Sequence, residues 1–380
     1  MDDRRIIRSE KDRLSSLPVE LKHTILSYLE LKDVVQTSAY SREWRYTWTA
    51  MPHLKLNSSQ FPSMSVFSKF VKDNLSSICD NPMEVSAIDL TFKGAATRLS
   101  VKSVVEYAYM RNVSQLTLTR ISRKLHQFPG YLFSASQLKH LTLATTCQSF
   151  YLQYASSIPK VDWDFPELET LVLKNMHLGD ATDGNLNLFS KCTKLKDLTL
   201  HKCCMFGLDI FNICAPELCN LTIIEGISFP NVCNVVAPKL KNLITSVRAS
   251  VDRVPVAFDS LILASEGLDS LENVNLSFSM PVVNKERFIP VLLNLFQTLH
   301  NAKYLTIETD IIEILSMWPG QISLGPCPFE RLEHLKINKT PLKKRDSITT
   351  VNAEVRNYFL GNSPAGATFI MDLPQDMIVS

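Results

Sequence analysis

The sequence has 380 residues, 45% of them apolar, and a net charge of +2 from 40 basic and 38 acidic side chains. These values suit a globular chain of two or three domains and give no reason to expect nucleic acid or an anionic membrane as a partner. The sequence has no run of 18 apolar residues and no apolar segment near residue 1, so we expect neither a membrane span nor a secretory signal. We therefore expect the nine cysteines to stay reduced, in the cytoplasm, the nucleus or both.

A helical module is predicted at residues 12–52, after a flexible N-terminus at residues 1–11. The first helix begins at Pro18, whose missing amide hydrogen would have no partner there. A second helix covers Lys32 to Thr37, and a third covers Ser41 to Thr49 with Ser41 as its N-cap. The apolar positions of the module recur at helical spacing: Leu17, Pro18, Leu21, Ile25, Leu29, Val34, Trp44 and Trp48. So short a module buries little surface alone and needs a covering domain or a partner.

A different pattern recurs between residues 85 and 340. It reads apolar, two variable, apolar, one variable, apolar, and this is the signature of leucine-rich repeats. The middle apolar residues lie 22 to 31 positions apart: Ile88, Leu116, Leu141, Leu171, Leu198, Leu221, Leu243, Val274, Leu305 and Leu335. The last two apolar positions of each core alternate as in a strand. We therefore predict an α/β solenoid, an irregular leucine-rich-repeat horseshoe with a parallel concave sheet.

Segments between the repeats and at the ends complete the prediction. Helices are expected on the convex side at Ser100–Met110, Leu186–Cys192, Leu208–Cys214, Lys285–His300 (starting late or kinked at Pro290) and Ile311–Trp318 (capped by Asp310). Residues 53–84 are predicted as a linker and a cap helix, Ser65–Cys79, that covers the first repeat. Residues 341–380 are predicted as a C-terminal cap or tail, with a last helix or turn at Val351–Leu360.

The N-terminal residues resemble the F-box of plant F-box/leucine-rich-repeat proteins. The matching residues are Leu14-x-x-Leu17-Pro18-x-Glu20-Leu21, Ile25-Leu26-x-x-Leu29, Lys32-Asp33-Val34-Val35-x-Thr37-Ser38 and Ser41-Arg42-x-Trp44-Arg45-Tyr46-x-Trp48. Many members also carry a C-terminal segment called FBD, which residues 329–375 match poorly, so here it is divergent or missing. The resemblance implies a three-helix F-box that binds a Skp-type adaptor and, through it, cullin and RING subunits. The chain would then be the non-catalytic, substrate-recognition subunit of an SCF (Skp-cullin-F-box) ubiquitin ligase.

The resemblance assigns adaptor contact to the apolar residues of the module: Leu17, Pro18, Leu21, Ile25, Leu29, Val34 and Trp44. Physically, such contact is an apolar helix face docking in a groove. The alternative is that these residues only form an internal core, and Trp44 and Trp48 could hold the three helices together. Replacing Leu17 and Pro18 with Ala and measuring co-purification with the adaptor separates these alternatives.

The outward residues of the predicted strands are the candidate substrate surface, because the concave face of a solenoid is long and rigid. Those predicted to contact a protein substrate are Thr142, Thr170, Val172, Thr199, Thr222, Asn220 and Tyr304. The surface is polar and nearly neutral, which suits a protein or peptide. The alternative for any one position is that threonine is simply a good strand former. Few Arg or Lys point outward, so we predict no site for a small anionic ligand.

Catalytic and metal sites are not expected. The chain has no glycine-rich phosphate loop and no recognisable Ser, His and Asp motif. Cys203, Cys204, Cys214 and Cys219 lack the paired spacing of a zinc site. Cys203 fills the repeat position at which an Asn or Cys side chain bonds to neighbouring backbone, and the other three fit as buried small apolar residues. We therefore predict no catalytic residues, no metal and no cofactor. Two other functions stay open: an interaction scaffold that delivers nothing for degradation, and a repeat module whose N-terminal helices only form a cap.

Overall fold

The computed structural model describes residues 13–42, 44–79, 85–95, 99–122, 127–146, 156–158, 163–178, 185–205, 208–224, 232–248, 268–279, 288–323, 326–339, 351–364 and 366–372. The chain forms two compact units, residues 1–121 and residues 122–380. The prediction of a flexible N-terminus at residues 1–11 lies outside the described residues.

The first unit begins with two short helices, α1 (Val19–Ser27) and α2 (Leu31–Thr37). Pro18 is the N-cap of α1, one position before the predicted place, since its backbone is extended there. The predicted third α-helix is wrong: the described residues between Ser41 and Thr49 form turns and a 3-10 helix, Thr47–Ala50. Aromatic and β-branched residues crowd this stretch, and they lose side-chain freedom in an α-helix. The Ser41 hydroxyl still accepts a hydrogen bond from the amide of Trp44, at 3.3 Å.

Three parallel strands complete this unit, and two helices connect them. The strands are β1 (His53–Asn57), β2 (Ala87–Lys93) and β3 (Gln115–Ile121), and the helices are α3 (Met64–Cys79) and α4 (Leu99–Met110). Both helices confirm the predicted segments. The sequence reasoning did not predict β1, although Met51, Leu54 and Leu56 repeat the core pattern, and all three side chains are buried.

The second unit is built on a sheet of nine parallel strands among the described residues. They are β4 (His140–Thr146), β6 (Thr170–Lys174), β9 (Asp197–His201), β11 (Asn220–Ile224), β13 (Asn242–Arg248), β14 (Asn273–Ser279), β15 (Tyr304–Glu308), β16 (His334–Asn338) and β17 (Thr368–Asp372), and they neighbour one another in this order. Eight of them carry predicted repeat cores, so the predicted α/β repeat fold with a parallel sheet is confirmed. Along the eight strands that carry predicted cores, the core apolar residues are buried and their neighbours face outward.

Short strands form a second layer where two helices were predicted. These are β5 (Ser156–Ser157) with β7 (Met176–His177), and the three parallel strands β8 (Asn185–Asn187), β10 (Ile210–Cys214) and β12 (Val232–Val236). The predicted helices Leu186–Cys192 and Leu208–Cys214 are therefore wrong. Burial along β10 alternates, with Phe211 and Ile213 buried, and this period of two is that of a strand. A segment of five to seven residues has too few positions for a helical period to be distinguished from the period of two that is typical of a strand.

Four helices lie among the later strands in the described part of the chain. They are α5 (Phe288–Thr298), α6 (Thr309–Ser316), α7 (Pro319–Ser323) and α8 (Ala353–Leu360). Helix α5 falls within the predicted segment Lys285–His300 and has Pro290 as its third described residue; the predicted late start lies at residues outside the described ones. Asp310 is not a cap: Glu308 is the N-cap of α6, and Asp310 is buried in its first turn. Helix α8 confirms the predicted helix at 351–360, and the Asn352 side chain caps it by accepting from the amide of Glu354 at 3.1 Å.

Within the described residues, no helix is long and apolar enough to cross a membrane.

Candidate functional site

Helix α1 has one buried side and one exposed apolar side. Lys22 and Leu26 face inward and are buried, whereas Leu21 and Ile25 are 50% and 40% exposed. Pro18 and Leu29 are also exposed, and Leu17 is half-buried. Leu21 and Ile25 are four positions apart and share one face of α1, and Pro18 and Leu29 lie just before and just after the helix. Five of the seven residues predicted to contact an adaptor therefore present apolar surface to solvent.

Val34 and Trp44 do not belong to that surface. Val34 is fully buried and Trp44 is 8% exposed, so both are core residues of the first unit. The indole nitrogen of Trp44 donates to the Ser15 hydroxyl at 3.1 Å, and the Lys22 ammonium lies 5.7 Å from the centre of the Trp44 ring. Because Val34 and Trp44 are buried, direct contact of either side chain with an adaptor does not fit the structure. The alternative role, in which Trp44 and Trp48 hold the helical module together, fits their burial.

Polar contacts fix α2 against the strand that follows it. The Lys32 ammonium donates to the carbonyl of Gln60 at 2.8 Å and lies 5.2 Å from the centre of the Phe61 ring. The Asn57 amide donates to the Glu30 carboxylate at 3.4 Å. These contacts join the helical module to the end of β1 and the turn after it, so the module and the three strands of the first unit form one packed body.

The outward side chains of the second unit form rows across its sheet. Because the strands are parallel and in register, equivalent repeat positions are direct neighbours. One row holds His140, Thr170, Asp197, Asn220, Asn242, Asn273, Tyr304, His334 and Thr368. The next holds Thr142, Val172, Thr199, Thr222, Ile244, Asn275, Thr306, Lys336 and Ile370. All seven residues predicted to contact substrate lie in these two rows and are half-buried or exposed, and their contact with a substrate stays a prediction.

Part of the first row is a ladder of hydrogen bonds. The Asn273 amide donates to the Asn242 side-chain oxygen at 2.6 Å, and Asn242 donates in turn to Asn220. Asn220 donates to the Asp197 carboxylate, which also lies 3.5 Å from the Thr170 hydroxyl. The three asparagine amides all donate in the same direction along the row, and the ladder ends on the Asp197 carboxylate, to which Thr170 donates from the other side. The result is a rigid polar surface with further donors and acceptors left to face a ligand.

The ladder is followed by two aromatic rings. The Tyr304 and His334 rings stack at 4.9 Å between centres with an angle of 11°, and the His334 ring is hydrogen-bonded to the Thr368 hydroxyl. Tyr304 remains exposed. An ordered, partly exposed aromatic next to polar side chains is the kind of group that anchors protein interfaces.

The buried cysteines offer no nucleophile. Burial raises the pKa of Cys192, Cys203 and Cys233 to about 12, so these thiols stay protonated near neutrality. Cys203 donates to the carbonyl of Leu173 at 3.4 Å, which agrees with the structural role predicted for it. Among the described residues, no group of three or more His, Cys, Asp or Glu side chains could hold a metal ion.

Sequence reasoning missed several exposed apolar residues of the helical module. Leu14, Val19, Tyr28, Tyr40 and Tyr46 all expose more than a third of their surface. Tyr28 lies just after α1 and three positions beyond Ile25, so helical spacing alone could have found it. Val19, at the start of α1, does not lie at that spacing from Leu21 or Ile25. The ladder of hydrogen bonds could also have been predicted, since Asp197, Asn220, Asn242 and Asn273 occupy the same position in successive repeats.

Comparisons with known proteins match both the helical module and the repeats. The F-box domain family matches residues 14–56, and a family of leucine-rich repeats described as those of the FBD-associated F-box protein At5g56370 matches residues 101–261. The F-box/LRR-repeat protein 25 of Arabidopsis thaliana is 30% identical over 203 residues, covering 53% of this chain and 72% of that protein. The F-box/FBD/LRR-repeat protein At2g04230, also from Arabidopsis thaliana, is 27% identical over 324 residues, 80% of this chain and 65% of that protein. The F-box protein At1g60400 from the same plant is 31% identical over 205 residues, and the chain spans only 47% of its length.

The fold and the matched domains define an F-box protein with leucine-rich repeats. The chain belongs to the plant family of F-box/leucine-rich-repeat proteins.

Proposed function

We propose that this chain is the substrate-recognition subunit of an SCF ubiquitin ligase. The observation that carries the proposal is the free apolar face of α1, inside a segment that matches the F-box domain. An apolar helix face of this size is unfavourable in water and favours docking in a groove. The proposed occupant of that face is a Skp-type adaptor, which links the chain to cullin and RING subunits.

The chain itself is proposed to be non-catalytic. Ubiquitin transfer would be performed by other subunits, and this chain would hold a protein substrate close to the reacting carrier. That proximity raises the effective concentration of substrate lysines. The packed contacts between α2 and β1 support this role, because they make the F-box and the first strands of the repeats one body.

The outward rows of the second unit are the proposed substrate surface. The ladder from Asn273 to Asp197 and the Tyr304 ring supply fixed hydrogen-bonding groups and an aromatic anchor. Preorganised groups of this kind lose little side-chain freedom when they bind. We also propose that the protein works in the cytoplasm, the nucleus or both, which is supported by seven free cysteines among the described side chains.

Adaptor binding is tested with charged substitutions on α1. The double variant Leu21→Asp/Ile25→Asp places two carboxylates in the proposed contact, and their desolvation should abolish co-purification with a Skp-type adaptor. Leu99→Asp is the matched control, because Leu99 is an exposed apolar residue at the start of α4, outside the F-box match. Retained binding by the double variant, in a folded protein, contradicts the proposal.

The alternative function is a repeat scaffold that binds the adaptor but delivers nothing for degradation. Proximity labelling with the proteasome blocked would identify candidate clients, and their half-lives would then be compared in cells with wild-type chain or with the α1 double variant. Longer half-lives with the variant support the ligase function, and unchanged half-lives favour the scaffold. Point variants are preferable to deletion of residues 1–50, since the contacts between α2 and the end of β1 make that segment part of the folded unit.

A further inference from the structure

Strand β17 has one backbone edge that no other described strand pairs. It ends the main sheet of the second unit, and β16 is its only paired strand among the residues that the structure describes. The Thr368 amide donates to the carbonyl of Glu333 on the β16 side, at 2.8 Å. Successive residues of a strand direct their backbone groups to opposite edges. The amide and carbonyl groups of Phe369 and Met371 therefore point away from β16.

The side chains of β17 are less covered than those of the strand beside it. Phe369 and Met371 are half-buried, whereas their neighbours in register, Leu335 and Ile337, are buried. The Arg356 guanidinium lies 5.4 Å from the centre of the Phe369 ring and shields part of it. On the outward face Ile370 is 49% exposed. Three neighbouring apolar side chains thus gain from further burial.

The centre of the strand carries none of the features that usually block pairing at an edge. Edge strands are commonly protected by proline or by charged side chains, especially lysine. Phe369, Ile370 and Met371 include neither, and the one charged side chain of β17 is that of Asp372 at its end. By comparison, β1 carries a lysine, Lys55, at its centre, and its inward Leu54 and Leu56 are buried.

We propose that β17 pairs with β17 of a second copy of this chain. The pairing is antiparallel about a two-fold axis that passes between the two Ile370 residues. In this register Phe369 of each copy lies opposite Met371 of the other, and these are the residues whose backbone groups point to the open edge. They form hydrogen-bonded pairs, while the Ile370 residues form a non-hydrogen-bonded pair with Cα atoms about 4.5 Å apart.

A second copy fits this edge because the strand is complementary to itself. The antiparallel register sets a phenylalanine beside a methionine twice, and thioether sulfur packs favourably against aromatic rings. It also places isoleucine on isoleucine at the centre, so every apolar side chain of the segment meets another. A two-fold contact of this kind uses the same patch on both copies and closes as a dimer. The axis is perpendicular to the sheet, so the outward rows of both copies would face the same side.

The test is the oligomeric state of the full chain, measured by sedimentation velocity across a concentration series, alone and with a Skp-type adaptor. We expect a wild-type dimer and at least a tenfold weaker dimer for Ile370→Lys, because two ammonium groups would meet at the axis. Ile244→Lys is the matched control: Ile244 lies in the same outward row, is 39% exposed, and belongs to an interior strand. The control should dimerise like wild type.

A mixing experiment tests the register itself. At concentrations where the wild type dimerises, Ile370→Lys and Ile370→Asp alone should be mostly monomeric, and an equimolar mixture should recover dimer, because only an Ile370-to-Ile370 contact pairs the opposite charges. Circular dichroism and melting curves establish that the variants are folded. A monomeric wild type, or an Ile370→Lys variant that dimerises like wild type, overturns the proposal. Adaptor binding does not involve β17, so either result leaves the proposed ligase function untouched.

Discussion

Val34 and Leu21 were assigned to the same contact by resemblance, and the structure predicts opposite effects for their substitution. Val34 is fully buried, so Val34→Ala removes two methyl groups from a packed core. At about 0.8 kcal/mol for each group, plus a cavity term, the free energy of unfolding should fall by about 2 kcal/mol. Leu21 is 50% exposed, so Leu21→Ala should change stability by less than about 1 kcal/mol.

The effects on adaptor affinity should be reversed. Full burial of a leucine contributes about 1.5–3 kcal/mol, and half of the Leu21 surface is still available for burial. Loss of that half corresponds to about 1 kcal/mol, or about fivefold in Kd. Adding Ile25→Ala should bring the total to about 2 kcal/mol, or about thirtyfold. Val34→Ala should leave the Kd nearly unchanged under conditions where the variant is folded.

Chemical denaturation and isothermal titration calorimetry with a Skp-type adaptor measure the two quantities on the same preparations. The reasoning is refuted if Val34→Ala weakens adaptor binding without lowering stability, or if Leu21→Ala/Ile25→Ala lowers stability without weakening binding.

Three further predictions concern the repeats and the first strands. Along β11, Leu221→Ala should lower the free energy of unfolding by about 2–5 kcal/mol, because Leu221 is buried. Its outward neighbour Thr222 should tolerate substitution by alanine with a change of less than about 0.5 kcal/mol. Equal effects of the two substitutions in denaturant titrations would contradict the alternation of burial. Burial opposes ionisation of Asp89, but the hydrogen bond from His53 at 2.9 Å and the other nearby groups lower its pKa below the ordinary value. The pKa of Asp89 in the folded state is then below that in the unfolded state, so the pair stabilises the fold near neutrality and loses this effect as the pH falls through the acid range. Asp89→Asn should therefore make the melting temperature fall less steeply at acid pH, by an amount equivalent to about 0.2–1 kcal/mol. Iodoacetamide at mildly alkaline pH should not modify Cys203 and Cys233 in the native protein, because burial raises the pKa of each thiol to about 12. It should modify the half-exposed Cys214 and Cys327. Fast labelling of Cys203, detected by mass spectrometry, would contradict its burial.

The repeat strands could be predicted from sequence because the signal recurs. The same apolar core occurs ten times, so an incomplete copy can be recognised from its spacing to the others. Even the copy around Leu243, which ends in Thr245 and not in an apolar residue, forms a strand in register with its neighbours. Strand β1 was missed for a different reason: Met51 stands at the end of the predicted helical module and Leu54 and Leu56 in the predicted linker, where a repeat core was not sought.

The second-layer strands could not be predicted in the same way. Asn185–Asn187 and Ile210–Cys214 are too short for a helical and a strand period to differ, and their pairing with each other depends on residues far apart in the chain. Strand β17 was missed for another reason: Gly366 stands where the repeat core has its first apolar residue, so Phe369 and Met371 do not complete the pattern.

Most residues of the candidate adaptor face could be predicted from the sequence, but which apolar side chains of the module are exposed could not. Helical spacing brings Pro18, Leu21 and Ile25 to one side, yet spacing does not reveal which side a neighbouring strand covers. Val34 and Trp44 show this limit, because the contacts of α2 with the end of β1 and of Trp44 with Ser15 are set by tertiary packing.

The most direct test of the ligase account is hydrogen–deuterium exchange of the full chain with and without a Skp-type adaptor. We predict that the adaptor slows exchange in α1 and its flanking residues, from Leu17 to Leu29, and leaves the strands from β4 to β17 unchanged. Protection confined to the repeat strands, with no change in α1, would contradict the claim that the F-box face binds the ligase and leaves the repeats free for substrate.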